Sequence, residues 1–305
     1  MKTKRQKTIF IIFLMWAIVL GSPQEIEKIL NQPEDKIDIG YAFLVLSKDA
    51  FPNYDIKSGI QLFEIMSKRM VQFLGMVKED SRIPDNRIGA LNTFLFREGP
   101  WNNTGNGKFI VYDYDLASVD TMKPEALFLV HALTTLKGTC SSLPMLWAVI
   151  AVRLGWPVKA VRMPGHIFLR YGGAKHANID PSAYGGFISD SQYIKDFLVS
   201  TSAIKNGVYM RSLSKKEFIS TMLVNNAFYS TQVQKDTARA VQYLQIAIAA
   251  DSTNADAYSN LALIRNDAKL LNKAKSMGFS RGYSESFLRK QQESVNKQKK
   301  GVKPL

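Results

Sequence analysis

The stretch "KGTCSSLPMLWAVIAVRLGWPVKAVRMPGHIFLRY", Lys137 to Tyr171, decides the fold. It contains Cys140, the only cysteine of the 305 residues. Ser141 and Ser142 suit a helix cap or first turn. Leu143 to Leu154 reads as one apolar helix, which Gly155 ends ahead of Pro157. "PVKAVRM" alternates and holds two valines, so it reads as a strand, and "HIFLRY" is a second strand after the Pro164-Gly165 turn. "GGAK" then turns the chain into "HANID", a third short strand, and "DPSAYGG" (Asp180 to Gly186) is a loop.

Outward from that stretch, residues 24–98 read mainly as helices. One helix runs from Ile60 to Val77 after Ser58-Gly59, and another from Asn86 to Phe96. Glu98 to Phe109 is dense in Gly and Asn and reads as a loop, followed by the extended piece "FIVYDYD". "KPEALFLVHALTTLKGT" reads as a helix beginning near Pro124 with Gly138 near its end. A further helix is expected around Ile188 to Ser200.

The composition, 46% hydrophobic and 22% charged, suits a globular chain with a sizeable core and excludes global disorder. The net charge of +14 sits mostly at the ends: +4 in residues 1–21 and +5 in residues 289–305. The body lacks a dense Lys/Arg stripe interleaved with aromatics, so a nucleic-acid partner is not expected. One cysteine excludes an internal disulfide. With three histidines, His131, His166 and His176, and no ligand motif, neither a metal nor any other cofactor is expected.

The N-terminus has the layout of an export signal. A basic "MKTKRQKT" precedes the apolar run Ile9 to Leu20, which is too short to span a bilayer, and "VLGS" offers small residues for cleavage after Gly21. Residues 1–21 are therefore a signal peptide or, uncleaved, an N-terminal membrane anchor. Either way the body is expected outside the cytoplasm, in the periplasm or cell envelope, and touches a membrane only through that segment.

Three residues could carry chemistry. Cys140 stands at a helix start, where the macrodipole favours a thiolate and unpaired N–H groups can receive an oxyanion. An antiparallel hairpin centred on Gly173 would set His166 directly opposite Asp180, close enough for the carboxylate to accept the imidazole N–H. Cysteine, histidine base and orienting acid form a nucleophile constellation. A one-residue slip would put the last two on opposite faces. His176 is the rival base, placed at an exposed hairpin end, and Asn92 and Trp101 are oxyanion donors by residue type only.

These residues carry a family likeness. "GTCSSLPMLWAVIAVRLGWPVKAVRMPGHIFLRY", followed by "NIDPSAYGG", resembles the transglutaminase-like superfamily, and most closely its bacterial SirB-type branch. The resemblance implies a papain-like α+β core with a helical N-terminal part over residues 24–205, its centre at 124–190. It implies Cys140 as nucleophile, His166 as base and Asp180 as orienting acid, with Arg170 and Gly185-Gly186 structural or substrate-orienting. The superfamily includes proteases, amidases, acyl transferases and inert members. The substrate expected for an exported enzyme is a peptide or protein, including cell-wall peptides.

The branch carries tetratricopeptide repeats after its core, and residues 212–285 resemble them. "TARAVQYLQIAIAADSTNADAYSNLALI" (Thr237 to Ile264) reads as a helix, a polar turn and a helix, with Ala240, Tyr243, Ala247, Asp251, Ala257 and Leu261 where such a repeat places them. Ser252 stands where proline is usual. With room for about two repeats, these helices should lean on the preceding domain. They give the alternative reading: an inert transglutaminase-like scaffold whose repeats bind a protein partner. The tail 289–305 reads as basic and disordered.

Overall fold

The computed structural model describes residues 21–78, 80–103 and 108–280. The segment 1–21 lies outside the described residues apart from Gly21, and the tail 289–305 and the end of the 212–285 region lie outside them entirely. No helix among the described residues is long and apolar enough to cross a membrane.

Among the described residues, four α-helices come first: α1 (Gly21–Leu30), α2 (Ile39–Ser47), α3 (Ile56–Met76) and α4 (Pro84–Phe96). Helix α3 starts four residues earlier than the apolar pattern predicts, because Asp55 caps it, accepting from the N–H groups of Lys57 (3.2 Å) and Ser58 (3.0 Å). Gly59 therefore lies inside the helix. A Cβ there would sit 2.7 Å from Leu44 Cδ1, so the glycine permits close packing on α2.

Strand β1 (Asp113–Tyr114) pairs in parallel with β2 (Lys137–Gly138). Between them lie α5 (Leu116–Asp120) and α6 (Leu129–Thr135). The single helix expected from Pro124 to Gly138 is split: a 3₁₀ turn covers Pro124–Leu127, and α6 ends at Leu136 in the left-handed region (φ 57°). Gly138 is not a helix stop. It lies in β2, where a Cβ would come within 2.8 Å of Leu143 and Ser142 at the start of the next helix.

That helix, α7 (Ser142–Arg153), is the centre of the molecule. Its residues from Ser142 to Ala151 are all buried, as a helix apolar on every side must be. It packs against α2, α3, α6 and the sheet. The sheet holds β3 (Val158–Met163), β4 (His166–Tyr171) and β5 (Asn178–Ile179), antiparallel in that order. Side chains alternate across it. Val158, Ala160, Ile167, Leu169 and Tyr171 join the main core, while Val161, Met163 and Phe168 join a smaller cluster with Tyr193 and Phe197.

The hairpin register differs from the one centred on Gly173. Leu169 faces Ile179 and Arg170 faces Asn178, which centres the turn on Ala174 and shifts every opposed pair by two residues. A shift of two preserves the pleat, so His166 and Asp180 remain on one face as a diagonal pair, not a direct one. Strand β5 is also shorter than "HANID". The helix expected over 188–200 is shorter, α8 (Asp190–Asp196), and a separate short helix, α9 (Thr201–Lys205), follows it.

Among the described residues, four more α-helices follow: α10 (Lys215–Tyr229), α11 (Thr237–Ala250), α12 (Ala255–Arg265) and α13 (Ala268–Ser276). They are not a separate stack. Phe218, Leu223, Tyr243 and Leu261 share one continuous core with Ile26, Phe43 and Trp147. Asn226 Nδ2 donates to the Leu46 carbonyl at 2.8 Å, and Arg239 pairs with Asp49 at 2.5 Å.

Candidate functional site

The turn between β2 and α7 is held by hydroxyls. Thr139 Oγ1 and Ser142 Oγ both donate to the Ala126 carbonyl (3.2 and 3.0 Å), and Ser142 Oγ accepts from the Thr139 N–H (2.9 Å). Ser141 occupies the cap position, but its side chain caps nothing. Its Oγ points away from the helix, 3.5 Å from Met222 Sδ, and accepts from Asn225 Nδ2 at 2.7 Å. Cys140, fixed by its neighbours on both sides, is partly exposed at the helix start.

The Cys140 sulfur lies 4.0 Å from the Gly165 carbonyl, in the turn that leads into β4. Gly165 has φ 63°, the left-handed conformation this turn requires. His166 follows, and its ring and Cys140 line the same cleft. His166 Nε2 is 2.8 Å from Asp180 Oδ2, so the acid engages one ring nitrogen and leaves Nδ1 to other partners.

Asp180 is well supplied with donors. Its Oδ1 accepts from the Ser182 N–H (3.0 Å) and hydroxyl (2.5 Å), and its Oδ2 also accepts from Tyr193 OH (3.0 Å). The loop closes through Gly185 N–H to the Asp180 carbonyl (2.8 Å) and Asp180 N–H to the Gly186 carbonyl (3.0 Å). The His166 ring packs beside Phe197 and Tyr193, with centroids 5.0 and 6.1 Å away. Burial of the ring disfavours its charge, but the Asp180 carboxylate and the Cys140 sulfur outweigh burial, and the His166 pKa is pushed up to about 10. Burial likewise opposes the charge of Asp180, yet His166, Ser182 and Tyr193 hold its carboxyl below the usual range. The resting pair is imidazolium and carboxylate.

A cleft of about 340 Å³ opens onto Cys140 and His166. Asp180 stands behind the histidine and does not line it. One wall is the Met163–Ile167 turn; the other comes from the C-terminal helices, with Thr221, Met222 and Asn225 on α10 and Asp256 and Asn260 on α12. Cys140 and His166 thus meet in one cleft, with Asp180 bound to the histidine.

A family model described as the transglutaminase-like superfamily matches residues 66–224, just over half of the chain. The chain belongs to that superfamily. No curated protein and no solved structure matches it. The transglutaminase-like match begins inside α3 and ends near the middle of α10. It therefore takes in Cys140, His166 and Asp180 together with part of the far wall.

The other candidates within the transglutaminase-like region have different work. His176 is exposed, 3.1 Å from Asp85, whose carboxylate also accepts from the N–H groups of Lys175 and His176. It ties the hairpin tip to α4 and does not line the cleft. Asn92 is no oxyanion donor: its Nδ2 donates to the Gly185 carbonyl (2.9 Å) and its Oδ1 accepts from Trp147 Nε1 (2.9 Å). Trp101 packs at a tilt against Phe73, with ring centroids 4.7 Å apart, and lines other cavities. Arg170 is bonded to Asn178 (3.0 Å) and Asp190 (2.7 Å), so it braces the hairpin against α8.

Sequence reasoning missed Tyr193 and Ser182 as partners of Asp180, and all of the far wall. Tyr193 carried no local signal. Arg162 did: a guanidinium inside the apolar strand "VKAVRM" demands a buried acid. That acid is Asp251, at 2.8 Å, with Thr221 Oγ1 and the carbonyls of Val208 and Thr253 satisfying the remaining donors.

Proposed function

We propose that this chain is a thiol acyl-transfer enzyme acting on amide bonds of peptides, with Cys140 as nucleophile, His166 as acid and base, and Asp180 as its orienting partner. The observation that carries the reading is the single cleft shared by the Cys140 sulfur and a His166 ring bonded to Asp180 at 2.8 Å. In this reading the sulfur attacks the acyl carbon, and the C–N bond breaks as the imidazolium gives its proton to the leaving amine. Water or a second amine then attacks the thioester, His166 takes its proton, and the thiol is regenerated. Hydrolysis and acyl transfer differ only in that second nucleophile. The cleft lies at the small end of ligand sites, about 300–1,000 Å³, which favours a short flexible peptide over a folded chain.

Around this core we place the finer assignments: a member of the SirB-type branch, exported to the cell envelope by residues 1–21, whose α11–α12 pair is tetratricopeptide-like and walls the cleft. The test is the rate of Cys140 alkylation by iodoacetamide from pH 5 to 10. A thiol paired with an imidazolium stays reactive at pH 6. Reaction only above about pH 8.5, at the rate of a free thiol, overturns the reading. Full rescue of a deletion strain by Cys140→Ala turns it toward the inert, partner-binding scaffold. N-terminal sequencing of the mature protein reads the fate of residues 1–21.

A further inference from the structure

The far wall of the cleft supplies a residue suited to read the substrate. Asn225, on α10, lines the same cleft as Cys140 and His166. Its carboxamide nitrogen is held by Ser141 Oγ at 2.7 Å, so the group is fixed one residue from the nucleophile. Its second amide proton faces only the Met222 sulfur, at 3.9 Å, a weak acceptor that a substrate oxygen would replace. The side chain is partly exposed to the cleft, not sealed in the core. Much of the surrounding lining is apolar, from Leu127, Met163, Pro164, Ile167 and Val224. An asparagine in such a lining presents one donor and one acceptor, the complement of a peptide unit.

Resting on the thiol-enzyme reading, we infer that Asn225 binds a backbone amide flanking the reacting acyl group, so that the acyl donor must be a peptide and not an isolated amide or ester. Nδ2 donates to the substrate carbonyl and Oδ1 accepts its N–H. Through Ser141 the same carboxamide keeps the bound peptide in register with the Cys140 sulfur.

The experiment labels Cys140 of the full chain with two reagents: N-iodoacetyl-alanyl-alanine methylamide, which carries peptide units, and methyl methanethiosulfonate, which carries none. Saturation gives a binding constant and a maximal rate for the peptide reagent. In Asn225→Ala that binding constant weakens about tenfold, the value of one to two neutral hydrogen bonds, while the maximal rate and the thiosulfonate rate stay within twofold. If Asn225→Ala does not fold, Asn225→Leu, which keeps the branched shape and adds no charge but loses both donor and acceptor, carries the same readout. An unchanged binding constant, equal slowing of both reagents, or no saturation in the wild type overturns the inference. A wild-type thiol slow toward both reagents overturns the enzyme reading instead, because saturation is measured whatever the rate of the bound reagent.

Discussion

Among single residues, Asp180 decides the ionisation of the site. With Asp180→Asn the His166 ring keeps its burial but loses the facing charge, so its pKa falls from about 10 to near or below the free value of about 6.5. Proton NMR titration of the ring checks this, and a ring still charged at pH 9 in the variant would remove Asp180 as the cause. Alkylation of Cys140 should slow at the same time, on the order of 10²–10⁴-fold if the acid acts as in related triads. The sign for stability follows from the same shift. His166 is raised in the folded state, so its contribution is complete below about pH 6.5 and drains away as the pH rises toward 10. Asp180 is lowered, so its contribution is present above the ordinary carboxylate range and is lost as the pH falls through its depressed value. The melting-temperature gap between wild type and His166→Gln should therefore be widest near pH 5–6.5 and narrow toward pH 10. A gap independent of pH contradicts the assignment. Gly185 makes a different kind of demand. It sits at φ 78° with the Asn92 carboxamide where a Cβ would be, 1.9 Å from Oδ1. Gly185→Ala should lose about 1–3 kcal/mol in urea unfolding and loosen the loop that carries Asp180.

At the level of elements, the sequence was most readable where period and punctuation agree. Helix α7 and strands β3 and β4 fall where the apolar run, the Gly155 stop and the Pro164-Gly165 turn put them, because burial on all sides and tight turns leave strong local marks. The hairpin register was less readable, since the turn centre moves by one residue without changing composition. The pairing of His166 with Asp180 survived because the resulting shift is even. The Pro124–Gly138 segment was misread for a tertiary reason: Gly138 answers to Leu143 and Ser142 across space, not to its neighbours in the chain. The far wall of the cleft was unreadable, because nothing local tells a helix after residue 214 that it faces Cys140. Arg162 was the one local clue to that contact. Its side chain is 2% exposed and its partner Asp251 1%, so the pair joins strand β3 to the α11–α12 turn inside the protein. Asp251→Ala should destabilise by about 3–5 kcal/mol, because it leaves a buried guanidinium uncompensated. The double variant Arg162→Met/Asp251→Leu should recover most of that loss. Equal losses in both, measured by urea unfolding, would assign the effect to packing and not to charge.

For the whole molecule, the question is whether the helices after residue 212 are an appendage or part of the folded unit that carries the cleft. The continuous core and the buried Arg162–Asp251 pair argue for the second. So does the cleft, which has Cys140 and His166 on one side and Asn225 and Asp256 on the other. A unit so joined should unfold in one step. The tryptophans offer a clean probe: Trp16, Trp101, Trp147 and Trp156 all precede the C-terminal helices, so fluorescence reports on the first part of the chain alone. Far-UV circular dichroism is dominated by helix and weighs both parts. The two urea curves should coincide in midpoint and slope, and a chain cut after Lys205 should show no cooperative transition and should bind a dye for exposed apolar surface. A separate later dichroism transition, or a cut chain that unfolds cooperatively, would make the C-terminal helices a detachable module and the far wall of the cleft an optional one.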